Sequence, residues 1–315
     1  MQGISVVFLK NQGNAPCGAC TSSVKERWKR QTSFVITFFC IAVSALAETG
    51  GDLARANELY ERTDYSGALH VLLAQKNPDA RAYALAGKSS FMEGDLGKAA
   101  DFLQKAVALD PANSEYVLWL GRVWGRKAEK ANPFTAPRAA ARAREYFEKA
   151  VALDPRNTDA MDDLFDFYLD APGFLGGGLD KAEAIARRVE ARDPAEGRFD
   201  LARVELKRKR PAEAEGHFRA AVNMAPKAVG HVIAFARFLA QQGRLKESDA
   251  ILAEGEAAAP ENPRLLYGRA SIDIETHRNL SEARRLLERY LASNLTPDDP
   301  PREAAEKLLR QMAGS

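Results

Sequence analysis

The stretch Lys98-Ala-Ala-Asp-Phe-Leu-Gln-Lys-Ala-Val-Ala-Leu-Asp-Pro111 returns as Arg142-Ala-Arg-Glu-Tyr-Phe-Glu-Lys-Ala-Val-Ala-Leu-Asp-Pro155, with its last seven residues unchanged. Weaker copies close at Pro194, Pro226 and Pro260, so a closing proline recurs every 32 to 44 residues. Self-similarity at such a period predicts an array of one repeated structural unit rather than a single irregular domain.

Each copy of this unit is predicted to form two helices joined by a turn. Small and apolar residues recur three or four positions apart, as at Ala99, Leu103 and Ala106, which is the spacing of one helix face. The closing proline ends the second helix because proline lacks a backbone N–H and disfavours helix in the residue before it. The pair Gly94-Asp95 marks the turn between the two helices.

This pattern resembles the tetratricopeptide repeat (TPR) family. In the copy that matches best, the family positions are occupied by Val117, Leu120, Gly121, Trp124, Ala143, Phe147, Ala150 and Pro155. The resemblance implies an all-α, right-handed superhelical solenoid of about seven helix-turn-helix repeats, closed by a C-terminal capping helix. Stacked pairs bury a continuous core that no single pair could bury alone.

We predict that residues 48–315 form the TPR solenoid domain. The predicted repeats cover residues 49–79, 80–113, 114–157, 158–194, 195–228, 229–263 and 264–297. A capping helix is expected over residues 299–312, since an end repeat needs a polar outer face.

Residues 1–47 are interpreted as an N-terminal leader that contains a signal peptide. A basic cluster, Lys25 to Arg30, precedes an apolar run from Phe34 to Val43, and small residues at Ala45 and Ala47 follow. A retained membrane anchor is the alternative, but the apolar stretch is shorter than the roughly 20 residues that a span needs. The predicted location is therefore periplasmic or secreted, with no stable membrane span after cleavage.

Composition narrows the function classes. The chain of 315 residues is 46% hydrophobic and 28% charged, with a net charge of +2 and three cysteines. A near-neutral chain gives no reason to expect a nucleic-acid partner, and three cysteines do not make a disulfide framework. The four histidines, His70, His217, His231 and His277, fall in different repeats, so we predict no metal, no cofactor and no catalytic residues.

The TPR resemblance implies that the first helix of each repeat lines a concave groove that holds an extended or helical peptide. Placing the repeat register on this chain predicts a partner-binding groove that contains Arg81, Lys88, Arg122, Arg126, Asp162, Asp166, Asp170, Arg203, Lys207 and Arg237. The charge along this groove reads basic, then acidic, then basic. Two interpretations stay open: a face that binds a partner, or charges that pair across adjacent repeats or are merely solvated.

Two enlarged turns form a second candidate site. The third repeat contains an insertion at about 130–138, and the fourth contains Ala171-Pro-Gly-Phe-Leu-Gly-Gly-Gly178. Turns between the two helices of neighbouring repeats lie on the same edge of a solenoid. We therefore expect a pocket edge there, formed by Phe134, Phe174, Gly176, Gly177 and Gly178. The simpler alternative is an enlarged turn that needs the conformational freedom of glycine.

These observations predict a non-catalytic periplasmic scaffold that holds a protein or peptide partner in its concave groove. The alternative is a small-ligand binding component of an envelope transport system that uses the insertion edge of the third and fourth repeats. A third possibility is a purely structural subunit. Fold alone does not rank these three functions, and the sequence leaves the oligomeric state open.

Overall fold

The computed structural model describes residues 51–260, 262–296 and 299–313. These residues belong to one structural unit, Gly51–Ser315. The predicted leader, residues 1–47, lies outside the described residues.

Every regular element of the described residues is helical. In chain order the α-helices are α1 (51–61), α2 (Tyr65–Leu73), α3 (Ala80–Met92), α4 (Leu96–Leu109), α5 (Ser114–Lys130), α6 (Ala136–Leu153), α7 (Thr158–Asp170), α8 (Leu179–Glu190), α9 (Pro194–Lys207), α10 (Pro211–Met224), α11 (Val229–Gln241), α12 (Leu245–Ala258), α13 (Pro263–Glu275), α14 (Leu280–Ala292) and α15 (Arg302–Ala313). Among these residues, no helix combines the length and the apolarity that crossing a membrane requires.

The helices pack as consecutive pairs that stack along the chain. Contacts are richest within pairs such as α3 with α4, α5 with α6 and α9 with α10. The first helices of successive pairs also touch one another, as α5 does with α7 and α11 with α13. Over the described residues this arrangement is a solenoid of seven helix pairs closed by α15, and the predicted fold class is confirmed.

Polar caps fix where many of these helices begin. The Asp95 carboxylate accepts a 3.0 Å hydrogen bond from the Lys98 backbone N–H at the start of α4. The Asn157 side chain does the same for Ala160 in α7, also at 3.0 Å. These side chains satisfy backbone donors that have no partner within the helix.

Small residues let the paired helices approach closely. A Cβ placed on Gly121 of α5 would lie 2.5 Å from the Phe147 ring of α6, so this position admits no side chain without a shift of the ring. Phe147 is buried together with Val117 and Ala143 in the core of the third and fourth pairs. The close approach thus follows directly from the repeat pattern seen in the sequence.

The third pair takes up its extra residues differently from the expected enlarged turn. Helices α5 and α6 are 17 and 18 residues long, compared with 13 and 14 in α3 and α4. Only residues 131–135 separate α5 from α6. Residues 130 and 136–138 of the predicted insertion are therefore helical, and Pro137 is tolerated because it stands in the first turn of α6, where a missing N–H costs nothing.

The fourth pair does contain an enlarged turn between α7 and α8. It includes a 3₁₀ turn, Gly173–Leu175, and it is held by a 3.1 Å hydrogen bond from the Arg144 guanidinium of α6 to the Leu175 carbonyl. A Cβ on Gly177 would lie 1.8 Å from the Ala171 carbonyl oxygen, so only glycine fits the observed backbone at that position.

The two ends of the solenoid lie beside each other. Helix α15 begins at Arg302, three residues later than the capping helix expected from Asp299, because Pro300 and Pro301 keep the preceding backbone extended. A cavity of about 650 Å³ is lined both by residues 61–65 and by the segment leading into α15, including Leu295 and Arg302.

Candidate partner-binding face

The first helices of successive pairs together form what we call the first-helix face, which consists of α3, α5, α7, α9, α11 and α13. The predicted groove residues lie on these helices. Most of the charged groove residues form an ion pair with a residue of opposite charge on the first helix of the neighbouring helix pair.

On α5, Arg122 bridges to the next first helix. Its guanidinium donates a 2.6 Å hydrogen bond to Asp163 and a 3.2 Å hydrogen bond to Asp159, both on α7. Lys88 of α3 pairs in the same way with Glu115 of α5, and its ammonium lies 5.3 Å from the centre of the Trp119 ring. Each contact joins two first helices.

The acidic helix α7 pairs onward with α9. Asp166 accepts from Arg203 at 2.6 Å, and the Asp170 carboxylate lies 2.7 Å from the Lys207 ammonium. Further along, Arg237 of α11 donates to Glu275 of α13 at 3.1 Å. Pairing across adjacent repeats, one of the two interpretations left open by the sequence, therefore accounts for most of the basic–acidic–basic pattern.

Three predicted groove residues do not take part in this pairing between helices. Arg81 is exposed and binds Asp79, the N-cap residue of its own helix, with an N–O distance of 2.9 Å. Arg126 lies 3.4 Å from Glu129, one turn along α5, and its guanidinium sits 5.6 Å from the Phe91 ring centre. Asp162 has neither an ion pair nor a hydrogen bond among the described residues.

A cavity of about 940 Å³ opens between α5, α6, α7 and the enlarged turn. Its aromatic lining comes from Phe91, Trp119, Phe147, Phe167 and Phe174. Its charged lining comes from Arg122, Arg126, Glu129, Asp163, Asp166 and Asp170. The cavity thus unites part of the predicted groove with part of the predicted insertion edge.

The structure places the residues of the predicted insertion edge differently from one another. Phe174 lines the cavity and is 82% exposed, but Phe134 is 95% exposed and lies outside the cavity lining. Gly176, Gly177 and Gly178 shape the turn rather than line the cavity: the Gly178 N–H donates to the Tyr168 carbonyl at 2.8 Å.

The electrostatics of α7 and α9 are dominated by buried carboxylates. Burial raises the pKa of Asp162 to about 7, and the negative charge of Glu196 adds to that shift. Burial likewise raises the pKa of Asp200 to about 8, even though the Arg203 guanidinium lies 3.5 Å away. For Asp163, burial raises the pKa in spite of the hydrogen bond from Arg122.

Sequence reasoning missed several residues of this face. Asp163 binds Arg122, yet the repeat register selected its neighbour Asp162. Asp200 is 2% exposed, and Glu196 binds His231 through a 2.9 Å hydrogen bond. For Asp200, the available signal in the sequence was an acidic residue between two large apolar residues, Phe199 and Leu201.

Over residues 51–313 as far as they are described, no group of three or more His, Cys, Asp or Glu side chains is arranged to hold a metal ion.

A stack of helix pairs along the chain defines a helical-repeat protein. Two family models, both described as tetratricopeptide repeat, match the chain: one over residues 205–272, the other over residues 53–114 and 176–229. Together these matches cover half of the sequence, and the chain belongs to the tetratricopeptide repeat family. Proteins of this family are mostly non-catalytic scaffolds for protein interactions.

Solved structures agree on the fold. A tetratricopeptide repeat protein of Parabacteroides merdae is 14% identical, with a TM-score of 0.56, over 84% of this chain and 98% of that one. A TPR protein of Thermus thermophilus is 22% identical, with a TM-score of 0.50, over 61% of this chain and 98% of that one. No curated protein sequence matches the chain.

Proposed function

We propose that this chain is an exported, non-catalytic scaffold that holds a protein or peptide partner on its first-helix face. A large apolar side chain of the partner enters the cavity between α5, α6, α7 and the enlarged turn. The observation that carries this proposal is the aromatic lining of the cavity, in particular Phe174, which is 82% exposed at its rim. Exposed aromatic side chains beside a concave apolar site are typical anchors for a partner.

The pairing of charges along the face supports a rigid scaffold. Ion pairs such as Arg122–Asp163 and Arg203–Asp166 join consecutive first helices, so the cavity walls hold their geometry without a ligand. A preformed site loses less conformational entropy on binding than a site that must order itself.

The proposal is tested by filling the cavity. Gly125 lines it, and a Cβ at this position would meet no atom within 4 Å, so Gly125→Trp places an indole in the open space. Gly216→Trp, at an exposed position on α10 where a Cβ also meets nothing, is the matched control. Crosslinking from the native cell envelope should capture a partner with wild type and Gly216→Trp but not with Gly125→Trp. Equal capture by all three contradicts the cavity as the partner site.

Export is a separate part of the proposal and rests on the basic cluster, apolar run and small residues of the leader. A fusion of residues 1–47 to alkaline phosphatase, which is active only after export, tests it. Activity in the fusion and its loss after Phe38→Arg, within the apolar run, would support an exported protein. An inactive fusion that is stably produced would contradict it.

A second candidate function is the binding of a small ligand as a component of an envelope transport system. The cavity volume of about 940 Å³ favours it, because pockets for small molecules span roughly 300–1,000 Å³. Gly177→Val, which disturbs the cavity rim, would then weaken a ligand found by thermal-shift screening, whereas protein capture would be absent. Capture of a partner without any stabilising small molecule favours the scaffold.

A further inference from the structure

We infer that Asp162 receives the lysine or arginine side chain of a bound polypeptide, with an adjacent large apolar side chain of the same segment placed in the neighbouring cavity. This inference rests on the proposed scaffold function and specifies its partner: a segment that presents a cation beside an apolar anchor. The argument is one of charge complementarity around α7.

The cations near Asp162 are already engaged. Arg122 is bound by Asp163 and Asp159. Arg203 is bound by Asp166 and lies 3.5 Å from Asp200. Because each guanidinium faces two carboxylates, neither is free to neutralise Asp162.

Negative charge therefore exceeds positive charge in this part of the face. The described carboxylates that face one another here are Asp159, Asp162, Asp163, Asp166, Glu196 and Asp200. The charged or titratable partners that the structure places among them are Arg122, Arg203 and, beside Glu196, His231. A cation supplied from outside would restore the balance.

An unsatisfied polar atom lies within the same cluster. The Asp200 side chain is 3% exposed, and its Oδ2 atom is buried without a hydrogen-bond partner. Buried polar atoms of native proteins are nearly always satisfied. Asp200 is too buried to touch a ligand directly, and a cation held at Asp162 would favour the ionised form of Asp200 from a distance.

The apolar part of the ligand follows from the cavity. Asp166, which lines the cavity, stands one helical turn after Asp162 on the same face of α7. Residues at this spacing lie about 6 Å apart, which a lysine and a neighbouring side chain of one peptide span easily. The rings of Trp119, Phe167 and Phe174 offer an apolar surface to that neighbour.

The protonation of Asp162 supports the assignment and predicts that binding depends on pH. Burial and the charges of Glu196, Asp159, Asp166 and Asp163 raise the pKa of Asp162 to about 7. A bound cation stabilises the carboxylate, so binding would release a proton near neutral pH. The affinity should therefore increase from pH 6 to pH 8.

Selection from a displayed library of random heptapeptides at pH 8, with the full chain as bait, tests the inference. Wild type should enrich sequences in which Lys or Arg lies within three residues of Phe, Trp, Leu or Met. Asp162→Asn, which keeps the shape of the side chain, should retain the apolar preference and lose the basic one. Asp101→Asn, an exposed position on α4, is the control and should select like wild type.

The strongest peptide from wild type is then titrated at two pH values. Asp162→Asn should bind it about tenfold more weakly than wild type, and its affinity should change less between pH 6 and pH 8 than that of wild type. Enrichment of apolar peptides without a basic preference, or a basic preference unchanged in Asp162→Asn, overturns the inference and leaves the scaffold function standing. If wild type enriches no peptides, or if Gly125→Trp enriches them equally well, the scaffold function is contradicted and the inference falls with it.

Discussion

Arg122 and Asp163 lie 41 positions apart in the sequence and form a 2.6 Å ion pair that joins α5 to α7. Both side chains are about three-quarters buried, with 25% and 23% of their surfaces exposed. The pair fixes the register of the third and fourth helix pairs and forms one side of the aromatic cavity.

Replacing Arg122 by methionine should therefore destabilise the solenoid. It leaves Asp163 largely buried without its cation, which is expected to lower the free energy of unfolding by about 1–3 kcal/mol. Urea unfolding followed by circular dichroism measures the change. Arg62→Met, which removes an exposed ion pair with Glu58, should stay within about 0.5 kcal/mol of wild type. Equal losses in both variants would contradict a special role for the Arg122–Asp163 pair.

Two glycines of α5 should respond in opposite ways to the same substitution. Gly121→Ala places a methyl group 2.5 Å from the Phe147 ring and should cost about 1–3 kcal/mol through overpacking. Gly125→Ala meets open space and should gain about 0.5–1 kcal/mol from helix propensity. Thermal unfolding of the two variants, measured side by side, shows whether each substitution raises or lowers the stability. A destabilised Gly125→Ala would count against the observed cavity.

The enlarged turn between α7 and α8 should depend on Gly177 in particular. In Gly177→Ala the new methyl group would collide with the Ala171 carbonyl, so the turn must rearrange. Hydrogen exchange of the Gly178 amide, which donates to the Tyr168 carbonyl, should accelerate by at least about tenfold. Gly173→Ala, where a Cβ meets nothing, serves as the control within the same turn. Unchanged exchange in Gly177→Ala would show that the turn differs from the one described.

Stability should fall as the pH rises toward neutrality because of the buried carboxylates. The folded pKa of Asp200 is raised by burial to about 8, so the folded chain keeps a proton that the unfolded chain loses near its ordinary value of 3.8. The contribution of this group to stability is complete below about pH 4, declines as the pH rises, and is fully lost above about pH 8.

Asp200→Asn removes this titration while keeping the shape of the side chain. Between about pH 5 and pH 8 the variant should gain roughly 1–2 kcal/mol relative to wild type. Denaturant unfolding at several pH values measures the difference, and Asp101→Asn should follow wild type throughout. A constant difference across this range would mean that Asp200 is ionised in the folded protein at every pH tested.

The sequence by itself determined the helices, their pairing and the family. The 3.6-residue spacing of small and apolar residues and the closing prolines act locally, so they can be recognised without knowing which elements meet. The predicted helices of the second repeat correspond to α3 and α4, and Gly121 and Phe147 meet as the repeat pattern indicates. The insertion of the third repeat was the exception, because the extra residues of this repeat lengthened α5 and α6 as well as the turn.

Only the tertiary structure decided which charges remain available for a partner. The sequence placed Asp162 and Asp166 on one helix face, but their environments differ: Asp166 meets Arg203, whereas Asp162 meets further carboxylates. That difference depends on side chains of α5 and α9, roughly one repeat away in either direction. The cavity could likewise not be predicted from the sequence, because its shape depends on the relative positions of α5, α6 and α7. Ion pairing and cavity shape are set by distances between elements, and a single repeat pattern carries no information about those distances.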